Sequence, residues 1–359
     1  MARASDPERV RRARFAAQLL GSGAATKPDQ VARQMLALQA QDLRAARLAM
    51  RARSRGLTAA GVDAALNERR LVIGWLCRGT LHLVACEDYG WLLALTAPTQ
   101  RRNVERRLAQ LGYQGARSDR AVRVIEQALE DGPQTRAALR ERLARRGLDG
   151  DGQALVHLLF RSALNGTSVR GPLAGGAQTF VLCRDWLGAV APAQVSGAAR
   201  SLALAELARR YLRGRGPAAP VDLAWWAGLP LADARAGFAA IAGELRELGD
   251  GNAELAAPSR RAPAPRARLL GAFDEFVLSW RDAAFSVPEQ QLRRVRDGGW
   301  IRPVALVGGR AAGVWKAPRS GRRLALEIDY WQPPGRDDAE ALAVEAADVA
   351  RFESAELAV

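Results

Sequence analysis

Between about Ser118 and Trp186 the chain carries three helical patterns and then two strand patterns, an order that few folds share. The segments SDRAVRVIEQALEDG, PQTRAALRERLARRG and GQALVHLLFRSALNG each place apolar residues at helical spacing. The segment TSVRGPLAGGAQTFVLC reads as two strands around a glycine-rich turn. Three helices followed by a hairpin is the order of a winged helix, whose third helix often enters a DNA groove. Winged helices also serve as protein contacts or scaffolding, so the order alone leaves the role open.

The helical part of this order recurs from about residue 197 to residue 247. SLALAELARRYLRGRG, PVDLAWWAGLP and LADARAGFAAIAGEL form a second set of three helical patterns. We therefore predict a mainly α protein with some β structure, built from tandem winged-helix (helix-turn-helix) units.

The C-terminal part has a different character. The Pro/Ala/Arg stretch APSRRAPAPRAR marks a linker near residues 257–268, after which strand patterns dominate. IRPVALVGGRAAGVWKAPRSGRRLALEIDYW reads as a meander, with alternating apolar residues on one face of its last strand at Leu324, Leu326, Ile328 and Tyr330. This end is predicted to be a small β barrel or sheet.

Four domains follow from these patterns. We predict an N-terminal winged-helix-like unit at residues 1–117, winged helices at 118–195 and 196–262, and a β-rich domain with an acidic terminal helix at 263–359.

The net charge of +15 points to a polyanionic partner. All but two of the 53 basic residues are arginine, which a GC-rich genome explains in part, but such a genome does not explain the excess over 38 acidic residues. The excess is uneven, with 12 basic and 4 acidic residues in positions 1–60 but 2 basic and 7 acidic residues in positions 336–359. That acidic tail reads as a solvated helix. Nucleic acid fits the charge better than a membrane, because no basic helix with aromatic anchors is evident.

Composition also excludes several classes. No apolar run reaches the roughly 18 residues of a membrane span, and no apolar segment follows the basic N-terminus as in a signal peptide. We therefore expect a cytoplasmic, nucleoid-associated monomer. Three cysteines without a CxxC pair and two histidines do not suit a disulfide framework or a zinc site, and we expect neither a metal nor a cofactor.

The N-terminal unit contains a predicted helix break. The segment PDQVARQMLALQAQ predicts a helix from Pro28 to about Leu38, and a second helix begins near Asp42, which can cap it. Arg44, Arg47 and Arg51 recur on one face of the second helix. They are candidates for a phosphate track, and an exposed, solvated face is the alternative.

Four segments, LALQAQD, RGTLHLV, AFDEFVLSWRD and VGGRAAGVW, resemble the bacterial winged-helix DNA glycosylases related to azinomycin-resistance and alkylpurine-unhooking enzymes. The resemblance implies a C-shaped protein of winged-helix units plus a β domain, with double-stranded DNA carrying alkylated purines in its concave basic face. It also implies catalysis by a Gln-x-Gln motif, which here is Gln39 and Gln41. A sister branch has Asp at the second position. The sequence departs from the family pattern at Ala283, where an arginine is usual.

A glutamine pair suits one kind of reaction. Glutamine does not titrate and cannot act as a general acid or base. Purines alkylated at N7 or N3 are already cationic, so the base leaves without protonation, and the enzyme needs mainly to position water and stabilise an oxocarbenium-like sugar. Two residues at a spacing of two diverge on a helix, so Gln39 and Gln41 require extended or bent backbone. Without the resemblance, they read as polar residues that satisfy backbone groups at a helix break.

Other residues complete the set of candidates. Asp42 can cap a helix or orient water, Arg78 and Thr80 are candidate phosphate contacts, and His82 suits either the core or a DNA contact. We expect four tryptophans in apolar runs to lie in the core: Trp75, Trp91, Trp225 and Trp226.

Lysine is scarce, with only Lys27 and Lys316 to supply the amine of a strand-cutting mechanism. This favours a monofunctional DNA glycosylase that leaves an abasic site. The alternative from another class is a non-catalytic winged-helix transcriptional regulator, which would bind DNA without releasing bases.

Overall fold

The computed structural model describes residues 6–21, 25–148, 152–188, 195–256 and 267–358. The chain divides into two compact units. Unit 1 comprises Met1–Val62, Leu204–Trp226 and Pro230–Val359, and unit 2 comprises Asp63–Ala203 and Ala227–Leu229. Most of the predicted linker, residues 257–266, lies outside the described residues. The four predicted domain limits stay predictions.

The elements of the described residues are as follows. The helices are α1 (Pro7–Ala17), α2 (Pro28–Met35), α3 (Leu43–Ala52), α4 (Ala59–Asn67), α5 (Cys86–Gln110), α6 (Gly115–Glu130), α7 (Arg136–Ala144), α8 (Gly152–Leu164), α9 (Cys183–Leu187), α10 (Gly197–Arg215), α11 (Pro220–Ala227), α12 (Leu231–Ala240), α13 (Glu275–Leu278), α14 (Leu292–Val295) and α15 (Arg336–Phe352). The strands are β1 (Leu38–Gln39), β2 (Leu71–Trp75), β3 (Leu81–Ala85), β4 (Gln134–Thr135), β5 (Ser168–Ala174), β6 (Ala177–Leu182), β7 (Leu245–Gly249), β8 (Asn252–Leu255), β9 (Arg268–Leu270), β10 (Arg296–Asp297), β11 (Trp300–Ile301), β12 (Val304–Val307), β13 (Arg310–Lys316), β14 (Arg319–Ser320), β15 (Arg323–Ala325), β16 (Glu327–Tyr330) and β17 (Glu356–Ala358).

Two stretches of chain share one order of elements and one strand pairing. In the first, α6, β4, α7 and α8 lead into the hairpin β5–β6, and β4 pairs with β6 through Gln134 and Phe180. In the second, α10, α11 and α12 lead into the hairpin β7–β8, and Ala218, which lies between α10 and α11, bridges to Ala253 of β8. The helices predicted for both stretches, and the hairpin predicted for the first, are therefore present.

Aromatic packing organises the core of unit 2. The buried ring of Trp75 on β2 lies 5.5 Å from that of Phe160 and 6.4 Å from that of Phe180. The guanidinium of Arg170 lies 4.2 Å from the Phe180 ring. Burial and the charge of Arg136 lower the pKa of Arg170 to about 10. The segment RGTLHLV runs from the turn at Arg78 into β3, which pairs antiparallel with β2, and both strands are buried along their whole length.

The C-terminal strands of unit 1 form an open sheet. Four antiparallel strands lie in the order β16-β13-β12-β9. The described strands do not close into a barrel, so of the two predicted alternatives, a small barrel or a sheet, the sheet is confirmed. The expected single last strand is two strands, because the chain changes partner at Leu326: β15 pairs with β14 and β17, whereas β16 pairs with β13.

The acidic tail is a helix, as predicted, but it is not solvated on all sides. Helix α15 buries Leu342, Ala346 and Val349 against the rest of unit 1. Its buried Glu345 accepts hydrogen bonds from Arg51 and Arg268. The helix therefore offsets part of the basic charge inside the fold. No described helix is long and apolar enough to cross a membrane.

Candidate active site

The Gln-x-Gln segment lies between two helices in unit 1. Helix α2 ends at Met35, three residues before the predicted end, because Leu36 adopts a left-handed φ of 60°. The backbone is then extended at β1, which meets the requirement set by the spacing of the two glutamines. Asp42 caps α3 as predicted, with its Oδ1 accepting a 2.7 Å hydrogen bond from the Ala45 N–H.

The two glutamines differ in exposure. Gln39 is buried, with 7% of its surface exposed, whereas Gln41 is exposed. Gln41 therefore lies at the surface of unit 1, whereas Gln39 lies in its interior.

A buried carboxylate holds the backbone of Gln39. Glu275, in the first turn of α13, accepts a 2.9 Å hydrogen bond from the Gln39 N–H at its Oε1. Its Oε2 accepts hydrogen bonds from Trp226 Nε1 at 2.9 Å and Ser279 Oγ at 2.6 Å. Glu275 has no exposed surface, so these contacts replace water completely.

A buried arginine holds the carbonyl groups before Gln39. The guanidinium of Arg215 donates to Met35 O at 2.6 Å and to Ala37 O at 2.7 Å, and it pairs with Glu275 at 2.8 Å. Its Nε donates to Ser279 Oγ at 2.8 Å. Met35 is the last residue of α2, so Arg215 satisfies a carbonyl that the helix leaves without an intrahelical partner.

The surroundings of this ion pair are apolar. The Arg215 guanidinium lies 4.1 Å from the Trp226 ring centroid. The Tyr211 hydroxyl donates to Ser279 O at 2.8 Å, and burial raises the pKa of Tyr211 well above its ordinary value. Arg215 and Glu275 therefore attract each other in a medium that screens charge weakly. Together they fix the backbone on both sides of Leu38.

A second buried ion pair lies beside the first. Asp274 accepts 2.8 Å hydrogen bonds from both terminal nitrogens of Arg53 and caps α13 through the Phe276 N–H. Neither Asp274 nor Arg53 has more than 1% exposed surface. The segment AFDEFVLSWRD thus supplies two adjacent buried carboxylates, of which Glu275 holds the Gln-x-Gln backbone.

Sequence reasoning did not assign these residues a role. The signal that could have found them is the pair of carboxylates in AFDEFVL, because charges among buried aromatic residues require partners. The identity of those partners, Arg53 and Arg215, is not visible in the sequence.

The three arginines predicted for one face of α3 have different surroundings. Arg44 pairs with Glu353 through hydrogen bonds of 2.6 and 3.0 Å, and 44% of its side chain is exposed. Arg51 is 2% exposed and contacts Leu269 O, Glu345 and Asp348. Arg47, which lies between these two arginines in the chain, is half-buried. Arg51 therefore serves the interior of unit 1.

The other candidate contacts lie in unit 2. Arg78 is half-buried and has a left-handed φ of 56° at the turn between β2 and β3. Thr80 Oγ1 donates to Cys77 O at 3.1 Å. His82 is fully buried, and its Nδ1 lies 3.0 Å from Thr80 O, which fits the core alternative. Gln39, Gln41 and the α3 arginines thus belong to unit 1, whereas Arg78, Thr80 and His82 belong to unit 2.

The four tryptophans predicted for the core also differ in exposure. Trp75 and Trp226 are buried and Trp91 is half-buried, but Trp225 is 46% exposed, so the core prediction is wrong for Trp225. Helix α11 turns Trp226 inward, and its chain neighbour consequently points away from the core. In the part of the chain that the structure describes, no cluster of three or more His, Cys, Asp or Glu could hold a metal ion.

Comparison with known proteins decides the family. The model of the family described as DNA glycosylase AlkZ-like matches residues 32–352. The chain belongs to the AlkZ-like DNA glycosylase family. This AlkZ-like protein is therefore a bacterial-type DNA glycosylase, an enzyme that acts on the N-glycosidic bond of DNA, and the matched range includes Gln39, Gln41 and Glu275.

A named protein and a solved structure that are similar to this AlkZ-like glycosylase both come from Streptomyces sahachiroi. One is an interstrand DNA cross-link repair glycosylase, 28% identical over 271 residues that cover 67% of this chain and 69% of that protein. The other is the solved structure of the DNA glycosylase AlkZ, with a TM-score of 0.77, 24% identity, and coverage of 99% of this chain and 100% of that one. The second comparison shows a shared mixed α/β fold.

Proposed function

We propose that this glycosylase hydrolyses the N-glycosidic bond of purines made cationic by alkylation at N7 or N3, with Gln39 and Gln41 as its catalytic residues. The observation that carries the proposal is the geometry of the Gln-x-Gln segment, which Glu275 and Arg215 hold extended next to solvent-exposed Gln41. A backbone held in this way limits how far the attachment points of the two glutamine side chains can move during the reaction.

The chemistry requires no proton transfer to the base. The oxygen of water bonds to C1′ while the bond from C1′ to the purine nitrogen breaks. The base leaves with the bonding electron pair, which cancels its positive charge, and the proton of the water passes to solvent. The amide oxygens accept hydrogen bonds from the water and face the positive charge that develops on the sugar.

The proposal extends to bulky adducts and interstrand crosslinks. The curated relative from Streptomyces sahachiroi carries crosslink repair in its name, and its alignment covers about two thirds of each protein. A role in repair or in self-resistance to a DNA-alkylating natural product fits this substrate class.

We also propose that the protein holds double-stranded DNA through winged-helix units. The shared order of elements and strand pairing in the stretches 115–182 and 197–255 supports this interpretation. Arg47, Arg78 and Thr80 are the proposed phosphate contacts, with Arg44 as a further one if DNA displaces Glu353. Arg51 and His82 are assigned to the interior because both are buried. The C-shaped arrangement and the monomeric state stay predictions.

A monofunctional reaction is the proposed outcome. Lys27 is exposed at the start of α2, and Lys316 pairs with Glu327 at 2.8 Å. An engaged ammonium group is a poor source of the neutral amine that a Schiff base needs. The proposed product is an abasic site in an intact strand, and exposed Lys27 is the lysine that a strand-cutting reaction would have to use.

The test uses duplex DNA with a single N7-alkylguanine. We expect release of the free base and strand cleavage only after alkali treatment. Gln39→Ala and Gln41→Ala are expected to abolish base release while DNA affinity changes little. Full activity of the double variant would refute the site assignment. Strand cleavage without alkali would refute the monofunctional mechanism.

A further inference from the structure

A cleft of about 410 Å³ opens in unit 1 directly beside the Gln-x-Gln segment. One wall comes from the start of α3, with Asp42, Ala45 and Leu48, and the opposite wall comes from the C-terminal strands, with Trp300 and Trp315. Asp42 follows Gln41 in the chain, so the cleft begins one residue from the exposed member of the motif. Its volume suits a single drug-sized ring system.

The cleft contains an aromatic ring that the fold leaves half in solvent. Trp300 is 52% exposed, whereas Trp315 below it is 5% exposed and donates its Nε1–H to Leu270 O. The edge of Phe273 packs against Trp300 at 4.8 Å with an interplanar angle of 72°. The backbone next to Trp300 is fixed by the hydrogen bond from Phe273 N to Ile301 O. Trp300 is thus held in place by its neighbours and still exposes part of its ring to solvent, where a ligand can stack on it.

The rim of the cleft carries one carboxylate that is held in place. Asp42 is exposed but is tied to α3 by its capping hydrogen bond to Ala45. The basic groups at the rim already have acidic partners, Glu327 for Lys316 and Glu353 for Arg44. An occupant with positive charge therefore meets Asp42 rather than an unpaired cation.

We propose that this cleft is the binding site for the leaving group, the alkylated purine with its apolar adduct, and that Trp300 determines specificity for large adducts. This inference rests on the proposed function, because the leaving group must lie next to the bond that Gln39 and Gln41 act on. Stacking on Trp300 gives affinity to any flat or apolar adduct, and Asp42 favours the cationic purine. A methyl group offers little surface to stack on Trp300, so the smallest lesions gain little from it.

The first experiment compares two duplexes, one with N7-benzylguanine and one with N7-methylguanine, and measures kcat/KM for base release. We expect Trp300→Ala to lower kcat/KM about 5- to 150-fold for the benzyl adduct, as for the loss of one stacking partner, and less than about 3-fold for the methyl adduct. Trp300→Phe, which keeps an aromatic ring, should retain most of the wild-type kcat/KM for the benzyl adduct. The matched control is Trp225→Ala, another half-exposed tryptophan that does not line the cleft. An equal loss on both substrates, or no loss on either, would overturn the inference.

The second experiment separates this inference from the proposed catalytic role. The affinity of Gln39→Ala protein for benzyl-adducted and unmodified duplex is measured with and without the additional change Trp300→Ala. We expect the preference for adducted DNA to disappear with Trp300→Ala. Persistence of that preference, or its absence before the change, would overturn the leaving-group site. Base release that survives Gln39→Ala and Gln41→Ala would instead count against the proposed catalytic residues.

Discussion

The neighbouring carboxylates Asp274 and Glu275 allow a direct test of how the Gln-x-Gln segment is held. Both are fully buried, and each pairs with one buried arginine at 2.8 Å. Only Glu275 contacts Gln39, through the 2.9 Å hydrogen bond to its N–H. Glu275→Gln and Asp274→Asn therefore remove equivalent charges at adjacent positions, and only one of them touches the motif.

Both substitutions should destabilise the protein, and Glu275→Gln should do so more than Asp274→Asn. Each leaves a buried guanidinium without its counter-charge, and breaking a buried ion pair costs about 3–5 kcal/mol. The amide introduced by Glu275→Gln would also have to place an NH₂ group among the donors of Gln39, Trp226, Ser279 and Arg215. A buried group left without a partner costs a further 1–3 kcal/mol or so.

The effects on catalysis should differ. In Glu275→Gln a single amide oxygen replaces two carboxylate oxygens, so the four donor groups compete for one acceptor and the Gln39 backbone is held less firmly. A misplacement of roughly 1 Å can cost about 100-fold in rate. We expect Glu275→Gln to lower the single-turnover rate about 10- to 100-fold and Asp274→Asn to lower it less than about 3-fold. DNA affinity should stay within about 3-fold of wild type for both, because neither carboxylate reaches the surface.

The assay is single-turnover base release from N7-methylguanine duplex, at a temperature where urea titration shows more than about 95% of each variant to be folded. Rates are compared per folded molecule, so a loss of stability alone does not change them. Equal rate losses in the two variants would mean that the buried pairs act through stability only. A fully active Glu275→Gln protein would refute the positioning of Gln39 by Glu275.

Further outcomes follow from other residues. Arg51→Ala should lower the free energy of unfolding by about 3–5 kcal/mol in urea titration, because it leaves buried Glu345 without one of its partners. Arg47 is half-buried, so Arg47→Ala should lower the free energy of unfolding less than Arg51→Ala does, and it should reduce the slope of log affinity against log salt by about 1. The reverse result would exchange their assigned roles. Burial and the charge of Arg107 lower the pKa of His157, so the NMR signals of its imidazole should titrate below pH 6.5. The stability that neutral His157 contributes should be complete above pH 6.5 and lost as the pH falls through the lower pKa of the folded state. A titration midpoint above 6.5 would contradict this. Because glutamine does not titrate, the single-turnover rate on N7-methylguanine duplex should be flat between about pH 6 and 8.5, and a bell-shaped profile would show that an ionisable group takes part.

Local patterns in the sequence determined much of this protein. Asp42 was predictable as a helix cap, and the break before it as extended backbone, because capping and spacing act over three or four residues. The helix triplets and the hairpin of the stretch 118–186 were predictable from periodicity for the same reason. The excess of positive charge indicated a nucleic acid as the partner, since net charge is a property of composition.

Only the tertiary structure decided which charges meet. Gln39 and Glu275 are 236 positions apart in the chain, and Arg51 and Glu345 are 294 apart. Arg44, Arg47 and Arg51 share a helical spacing, yet α15 covers Arg51 and makes it an internal residue. The last strand likewise divides between two sheets because its partners come from elsewhere in the chain. Burying a charge is favourable only with a partner, and the partner is chosen by long-range packing that no local pattern contains.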